Sequence, residues 1–232
     1  IYEELVTIPL HQYAKYGASY REFLRSQGLH NDMTQLAATI RTTQTIVTAI
    51  WPYESKIKQS FFTLSPVSNE ELKNWDEYLE HLQIIGEKYS LKKHMIQATF
   101  ERCLIPCLYY EHVWIKFMRW FEKEQPSEVK HMVELFERGI IVLPITSKAF
   151  RVQFLQYLKK NFRKDKKYIF TIFTQTIASY MKQWPGESSL MSEYLALLKR
   201  FKFGSTIDER DKEILIQQTS YSKFLESALS NY

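Results

Sequence analysis

Residues 100–120 read FERCLIPCLYYEHVWIKFMRW, and thirty-six positions after their first residue the chain repeats itself with FERGII at 136–141. In each copy a second aromatic follows fourteen residues after the leading Phe: Trp114 in one, Phe150 in the other. Trp114, Phe117, Met118 and Phe121 form an i, i+3, i+4, i+7 set, and so do Phe150, Gln153, Phe154 and Tyr157. That spacing places each set on one face of an α-helix. Trp75, Tyr78, Leu79 and Leu82 give an earlier copy; Leu190, Glu193, Tyr194 and Leu197 give a weaker later one.

A partner helix carries the same spacing. Phe100, Cys103, Leu104 and Cys107 align with Phe136, Gly139, Ile140 and Leu143, and with Phe173, Thr176, Ile177 and Tyr180. The position of Cys103 is therefore small in every copy, which suits close approach of a neighbouring helix. Cys103 and Cys107 are read as core positions, since a buried free cysteine behaves as a small hydrophobe. A structural zinc site needs four ligands, and His94 and His112 supply no paired motif. No metal and no cofactor is expected.

A helix pair repeated at this period cannot bury its apolar face alone, so the expected fold is all-α, an α-solenoid of stacked helix pairs. Breakers fall where turns are needed. Ser68 with Glu71 fits a capping box ahead of the helix of Trp75, Ser127 after Pro126 suits the cap of a later helix, Pro144 closes a helix, and Pro185-Gly186 separates two more. Tyr13, Tyr16, Tyr20 and Phe23 trace another helix face. Met33–Ile50, poor in charge, fits a helix buried between modules.

The chain has 232 residues, a formal charge of +5 and 45% hydrophobic residues, with few Gly or Pro. This length can bury a core without disulfides. Two cysteines are too few for a secreted disulfide framework and point to a reducing, intracellular setting. No apolar run approaches a membrane span of ~18 residues. The first residue is Ile1, which suggests a piece of a longer protein. Nucleotide-binding, zinc-protease and serine-hydrolase motifs are missing, so the chain reads as a non-enzyme.

The charge pattern leaves one question open. Lys159, Lys160, Arg163, Lys164, Lys166 and Lys167 face a single Asp165. Such a run is either a solvated helix end or a contact for RNA phosphates or an acidic protein, with salt-sensitive affinity in the second case. The apolar positions Ile214, Leu215, Tyr221, Phe224, Leu225 and Leu229 of the tail suit either a solenoid cap or a dimer contact.

The two helix patterns resemble the half-a-TPR (HAT) repeat, a TPR-like motif. Trp114, Phe117, Phe121 and Glu122 match its first helix; Phe100, Glu101, Arg102, Cys103 and Leu104, followed by Pro106, match its second. Phe136, Glu137 and Arg138 match again, whereas Thr174 and Gln175 replace Glu-Arg in the third copy. Three stretches narrow the resemblance: IPLHQYAKY (8–16), WPYESKIKQSFF (51–62) with LKNWDEYLE (72–80), and FERCLIPCLYYEHVWIKF from 100. Together they are similar to the family of pre-mRNA-processing factors thirty-nine and forty-two, components of the U-one small nuclear ribonucleoprotein. The likeness runs from about residue 8 to about 157.

That resemblance implies a nuclear, non-catalytic scaffold in pre-mRNA splicing, within the particle that recognises the 5′ splice site. Its partners would be other proteins of that particle and a second HAT protein, a copy or a paralogue. Residues 1–66 would be the end of an N-terminal HAT array plus a linking helix, and 67–232 a C-terminal array. Trp75, Tyr78, Phe100, Arg102, Cys103, Trp114, Phe117, Phe121, Phe136, Arg138, Phe150 and Phe154 are expected to pack the repeats. Arg102 and Arg138 would do so through charge-assisted hydrogen bonds between helices. The alternatives are a HAT scaffold of 3′-end cleavage or rRNA maturation, or a solenoid binding RNA directly through 159–167.

Overall fold

The computed structural model describes residues 1–29 and 32–161, together with Thr171, Ile172, Gln175, Thr176, Ser179, Tyr180 and Gln183. Among them the regular structure is helical: α1 (Tyr2–Thr7), α2 (Tyr13–Ser26), α3 (Asp32–Glu54), α4 (Asn69–Tyr89), α5 (Lys93–Leu104), α6 (Glu111–Glu124), α7 (Val129–Val142) and α8 (Lys148–Asn161). The chain divides into two compact units, residues 1–145 and 146–232.

In the first unit each helix packs on its neighbours in sequence. α1 and α2 lie against α3, α3 against α4, and the order continues α4, α5, α6, α7. Val6, Tyr20, Leu24 and Leu36 make a small N-terminal core, with Tyr2 and Ile40 beside it. The face expected at Tyr13, Tyr16, Tyr20 and Phe23 is centred one position away, on Gly17, Tyr20 and Leu24; Phe23 is exposed and tilts against Tyr2. α2 ends in a Schellman turn: Gly28 takes φ 71°, its N–H bonds the Arg25 carbonyl and the Leu29 N–H bonds that of Leu24. Only a residue without Cβ enters that region at little cost.

The larger core is aromatic. The ring of Phe100 on α5 stacks on Phe117 of α6 at 5.0 Å between centroids, and Trp120 lies 5.3 Å from Phe100. Phe121 meets Phe117 edge-on at 6.3 Å. Trp75, Phe100, Trp114, Phe117, Phe121 and Phe136 are all buried, as are Cys103 and Cys107. Small residues set the spacing. A Cβ on Gly86 of α4 would lie 2.5 Å from Ile96 Cδ1 of α5, so these helices approach closely enough there that any side chain would displace the Ile96 terminus.

Three expectations change in the structure. α3 is not buried between modules: Leu36, Thr43, Ile46 and Ile50 face inward while Thr34, Ala38, Thr42 and Thr45 are exposed. Its hydroxyls explain how a charge-poor face stays wet, since Thr39, Thr42 and Thr45 each donate to the carbonyl four residues back. Ser127 caps no helix: the cap position of α7 is Glu128, which makes no side-chain cap bond, and it is the Ser127 carbonyl that accepts, from Val129 N–H. The capping box at α4 is half a box. Ser68 Oγ accepts from Glu71 N–H at 3.1 Å, but the Glu71 carboxylate turns away to bind the preceding loop.

In the second unit α8 buries Phe150, Phe154, Leu155, Tyr157 and Leu158, and Arg151 with them. The Arg151 guanidinium donates to the Ser147 carbonyl one turn back, at 3.0 Å. Tyr180 is buried, and Thr176, aligned with Cys103, is half-buried. The expected helix at Leu190–Leu197, the Pro185-Gly186 break and the tail 208–232 lie outside the described residues. Among the described helices none is long and apolar enough to cross a membrane.

Candidate interaction surface

The matched Glu-Arg pairs of the repeat build one joint twice. Arg102 on α5 lies over the Trp75 ring of α4 at 5.3 Å, and its Nη2 donates to Glu54 Oε2 at the end of α3 at 2.7 Å. Arg138 on α7 lies over Trp114 of α6 at the same 5.3 Å, and its Nη2 donates to Glu101 Oε2 of α5 at 2.7 Å. Each guanidinium therefore stacks on the first helix of its own pair and ties its second helix to the element before. A planar, delocalised cation suits both tasks at once, which lysine does not. Tyr78 adds to the first joint: Arg102 lies 5.7 Å from its ring. Burial, reinforced by Glu54, holds the Tyr78 phenol well above its ordinary pKa, against the lowering effect of Arg102.

A second set of bonds links first helices to each other. Lys116 on α6 donates to Asp76 at 2.7 Å and Glu80 at 2.9 Å on α4, and Lys123 donates to Glu87 at 2.8 Å. Lys123 lowers the Glu87 pKa by hydrogen bond and charge. Partial burial alone would pull Lys116 down, but its two carboxylates outweigh that and raise it.

The three stretches that carried the sequence resemblance converge on a groove of about 400 Å³. Ile8–His11 forms one lip, the end of α3 with Ile50, Trp51 and Glu54 one wall, and α5 with Met95, Ala98 and Arg102 the other. Tyr78 and Leu82 of α4 line it between them. The His11 ring stacks on Trp51 at 4.7 Å, and Tyr53 stacks on His81 at 4.0 Å. The groove is mostly apolar, and its one full ion pair, Glu54–Arg102, is internally neutral. Such a surface can hold an apolar segment of a protein chain; it has the polar groups of a recognition site and no reacting constellation. The groove was invisible to periodicity because its walls, at Glu54 and Arg102, lie 48 residues apart in sequence. The signal for it was that IPLHQYAKY, WPYESKIKQSFF with LKNWDEYLE, and FERCLIPCLYYEHVWIKF stood out together.

An apolar patch lies elsewhere on the first unit. Phe61, Phe62 and Leu64 are exposed on the connection between α3 and α4, and Phe62 meets Tyr109 edge-on at 5.8 Å.

The cysteines pack as thiols. Both are free and fully buried, and the hydrogen bond with Cys107, then burial, pushes the Cys103 pKa far up. Among the described residues no group of His, Cys, Asp and Glu could hold a metal ion. Of the basic run, Lys159 and Lys160 close α8; Arg163, Lys164, Lys166 and Lys167 lie outside the described residues.

The family model described as the PRP39 C-terminal HAT repeat matches residues 48–200. Pre-mRNA-processing factor 39 of Saccharomyces cerevisiae is 40% identical over 232 residues, which is 100% of this chain and 36% of that protein. Pre-mRNA-processing factor 39 of Homo sapiens is 35% identical over 82 residues, 35% of this chain and 12% of its own. The U1 small nuclear ribonucleoprotein component PRP42 of Saccharomyces cerevisiae is 32% identical over 71 residues, 29% of this chain and 12% of its own. The chain thus spans at most 36% of the length of these three relatives.

Proposed function

Because the chain belongs to the PRP39 C-terminal HAT repeat family, we propose that it acts in pre-mRNA splicing as a non-catalytic scaffold of the particle that recognises the 5′ splice site. The family match over residues 48–200, together with 40% identity over 232 residues to a pre-mRNA-processing factor, carries this reading. The likeness to a U1 small nuclear ribonucleoprotein component supports the choice of particle and a nuclear location. Residues 1–66 serve as the end of one HAT array with its linking helix, and 67–232 as the C-terminal array.

The mechanism is geometric. Stiff helix pairs hold an apolar groove in a fixed orientation, and affinity comes from a few well-packed anchors of the partner and not from chemistry. Trp75, Tyr78, Phe100, Arg102, Cys103, Trp114, Phe117, Phe121, Phe136, Arg138, Phe150 and Phe154 keep the repeats in register. A second HAT protein, a copy or a paralogue, completes the assembly.

Native purification of the longer protein that contains this chain, with identification of its bound RNA and proteins, tests the reading. U1 small nuclear RNA and its proteins should be recovered. Recovery of 3′-end cleavage factors or pre-rRNA processing proteins in their place would overturn it. Charge reversal at Lys159, Lys160, Arg163 and Lys164 should leave that recovery unchanged; its loss would favour direct RNA contact through the basic run.

A further inference from the structure

We propose that Ser65 is a phosphoacceptor for a proline-directed serine/threonine kinase, and that its phosphate loosens the strap joining α3 to α4. Of the seven prolines in the chain, only Pro66 follows a serine or threonine. It falls in the irregular connection 55–68. Loops of that length are uncommon in compact proteins and are either functional or linker segments.

Access and conformation both suit an acceptor. Ser65 and Pro66 are exposed, and Leu64 before them is 93% exposed. Among the described residues the Ser65 hydroxyl makes no hydrogen bond; its carbonyl, not its Oγ, receives the Thr63 hydroxyl at 3.1 Å. Proline fixes its own φ and pushes the residue before it into extended geometry, the form in which a kinase cleft takes a substrate. In the transfer, Ser65 Oγ attacks the γ-phosphorus of ATP and the bond from that phosphorus to the β,γ-bridging oxygen breaks. ADP leaves, and the hydroxyl proton passes to the carboxylate base of the kinase.

The consequence follows from what surrounds the acceptor. Ser65 shares a surface depression with Lys58, Glu70 and Glu71. Glu71 is 6% exposed, and its Oε1 accepts from the backbone N–H groups of Lys58 and Gln59, each at 2.9 Å. This carboxylate latches the strap onto the first turn of α4. A phosphate adds a charge of about −1.5 to −2. The α4 N-terminus would welcome an anion, but Glu70 and Glu71 already occupy its first turn. Two carboxylates against one ammonium make the local field repulsive. The phosphate also draws Lys58 toward itself and away from the latch. The strap that carries Phe61 and Phe62 is then released from α4.

The full chain, treated with a purified proline-directed kinase and magnesium ATP, provides the test. Peptide mapping should find one phosphoryl group, on Ser65, absent from Ser65→Ala and reduced several-fold in Pro66→Ala. Amide exchange at Lys58 and Gln59 should rise several-fold on phosphorylation, while Ser65→Ala treated alike keeps its protection. No phosphate on Ser65, or equal modification of Pro66→Ala, overturns the acceptor assignment. A phosphorylated chain with unchanged exchange at Lys58 and Gln59 overturns the loosening.

Discussion

Replacing Arg102 with Met removes one whole joint while keeping an unbranched apolar stem in its place. The Arg102–Glu54 pair is short, at 2.7 Å, but its side chains are 37% and 31% exposed, so solvent screens it. Exposed pairs contribute about 0.2–1 kcal/mol, and this one belongs at the upper end, about 1 kcal/mol. The guanidinium also covers the indole of Trp75, itself buried. Cation–π contacts run from about 0.5 kcal/mol when exposed to about 2 when desolvated, which puts this half-covered one near 1 kcal/mol. Glu54 left behind can still be solvated, so no large penalty for a stranded charge is added. Arg102→Met should then cost about 2 kcal/mol and lower Tm by about 4–8 °C for a chain of this size. Arg138→Met is the internal control. Arg138 stacks on Trp114 at the same distance, but its pair with Glu101 is 47% and 36% exposed, so its cost should be smaller, about 1.5 kcal/mol. Urea melts of both variants, and a double-mutant cycle with Glu54→Gln, measure the pair directly; the coupling should be about 1 kcal/mol. A coupling indistinguishable from zero, or an Arg138→Met cost equal to or above that of Arg102→Met, would show that burial does not rank these joints.

Trp114→Ala should destabilise by about 3–5 kcal/mol, since it leaves a cavity at a side chain 1% exposed; it also removes the indole N–H bond to the Leu108 carbonyl at 2.9 Å. An unchanged thermal melt would contradict its place in the core. Glu71→Ala strands the N–H groups of Lys58 and Gln59, costs about 1–3 kcal/mol, and should raise amide exchange at those two positions above that at the helix cores. The raised pKa of Tyr78 sets an alkaline limit. Its contribution is fully present below the ordinary tyrosine pKa of about 10 and is lost as pH rises through the higher folded value. Tyr78→Phe should therefore melt with a shallower loss of stability above that pH than the parent, and parallel curves would refute the assignment.

What was legible in the sequence is what repeats locally. The spacing of Trp114, Phe117 and Phe121 is set by one helix, so their shared burial follows from 3.6 residues per turn. The recurrence at thirty-six residues carried the rest of the fold, because a helix pair with one apolar face has few ways to hide it except by stacking. The acid that answers Arg102 was not legible. Glu54 sits 48 residues earlier on the last turn of α3, outside the repeat motif that named Arg102. Nor was the role of Glu71. Its position three residues after Ser68 matched the capping box, but the loop offered two N–H donors where the box offers one, and the buried carboxylate took the pair. Ser127 failed as a cap for a related reason: the chain turns over 125–129 through backbone bonds, leaving its hydroxyl no helix to cap.

The joints also explain why the repeat spelling decays where it does. The second helices α5 and α7 each present a Glu-Arg dipeptide, and the Arg of each answers an acid supplied by the element before its pair. Arg102 uses Glu54, and Arg138 uses Glu101, the residue beside Arg102. By that logic Glu137 should meet an arginine in the third copy, yet the residue aligned with Arg102 and Arg138 there is Gln175. Glu137 is exposed and makes no ion pair among the described residues. The family likeness does not end there as the motif spelling suggested: the family model runs on to residue 200 and the yeast relative matches all 232 residues, so the third copy keeps the fold's pattern without the Glu-Arg dipeptide. Paired charge across copies adds a smaller, directional tie to the aromatic core that holds each repeat together.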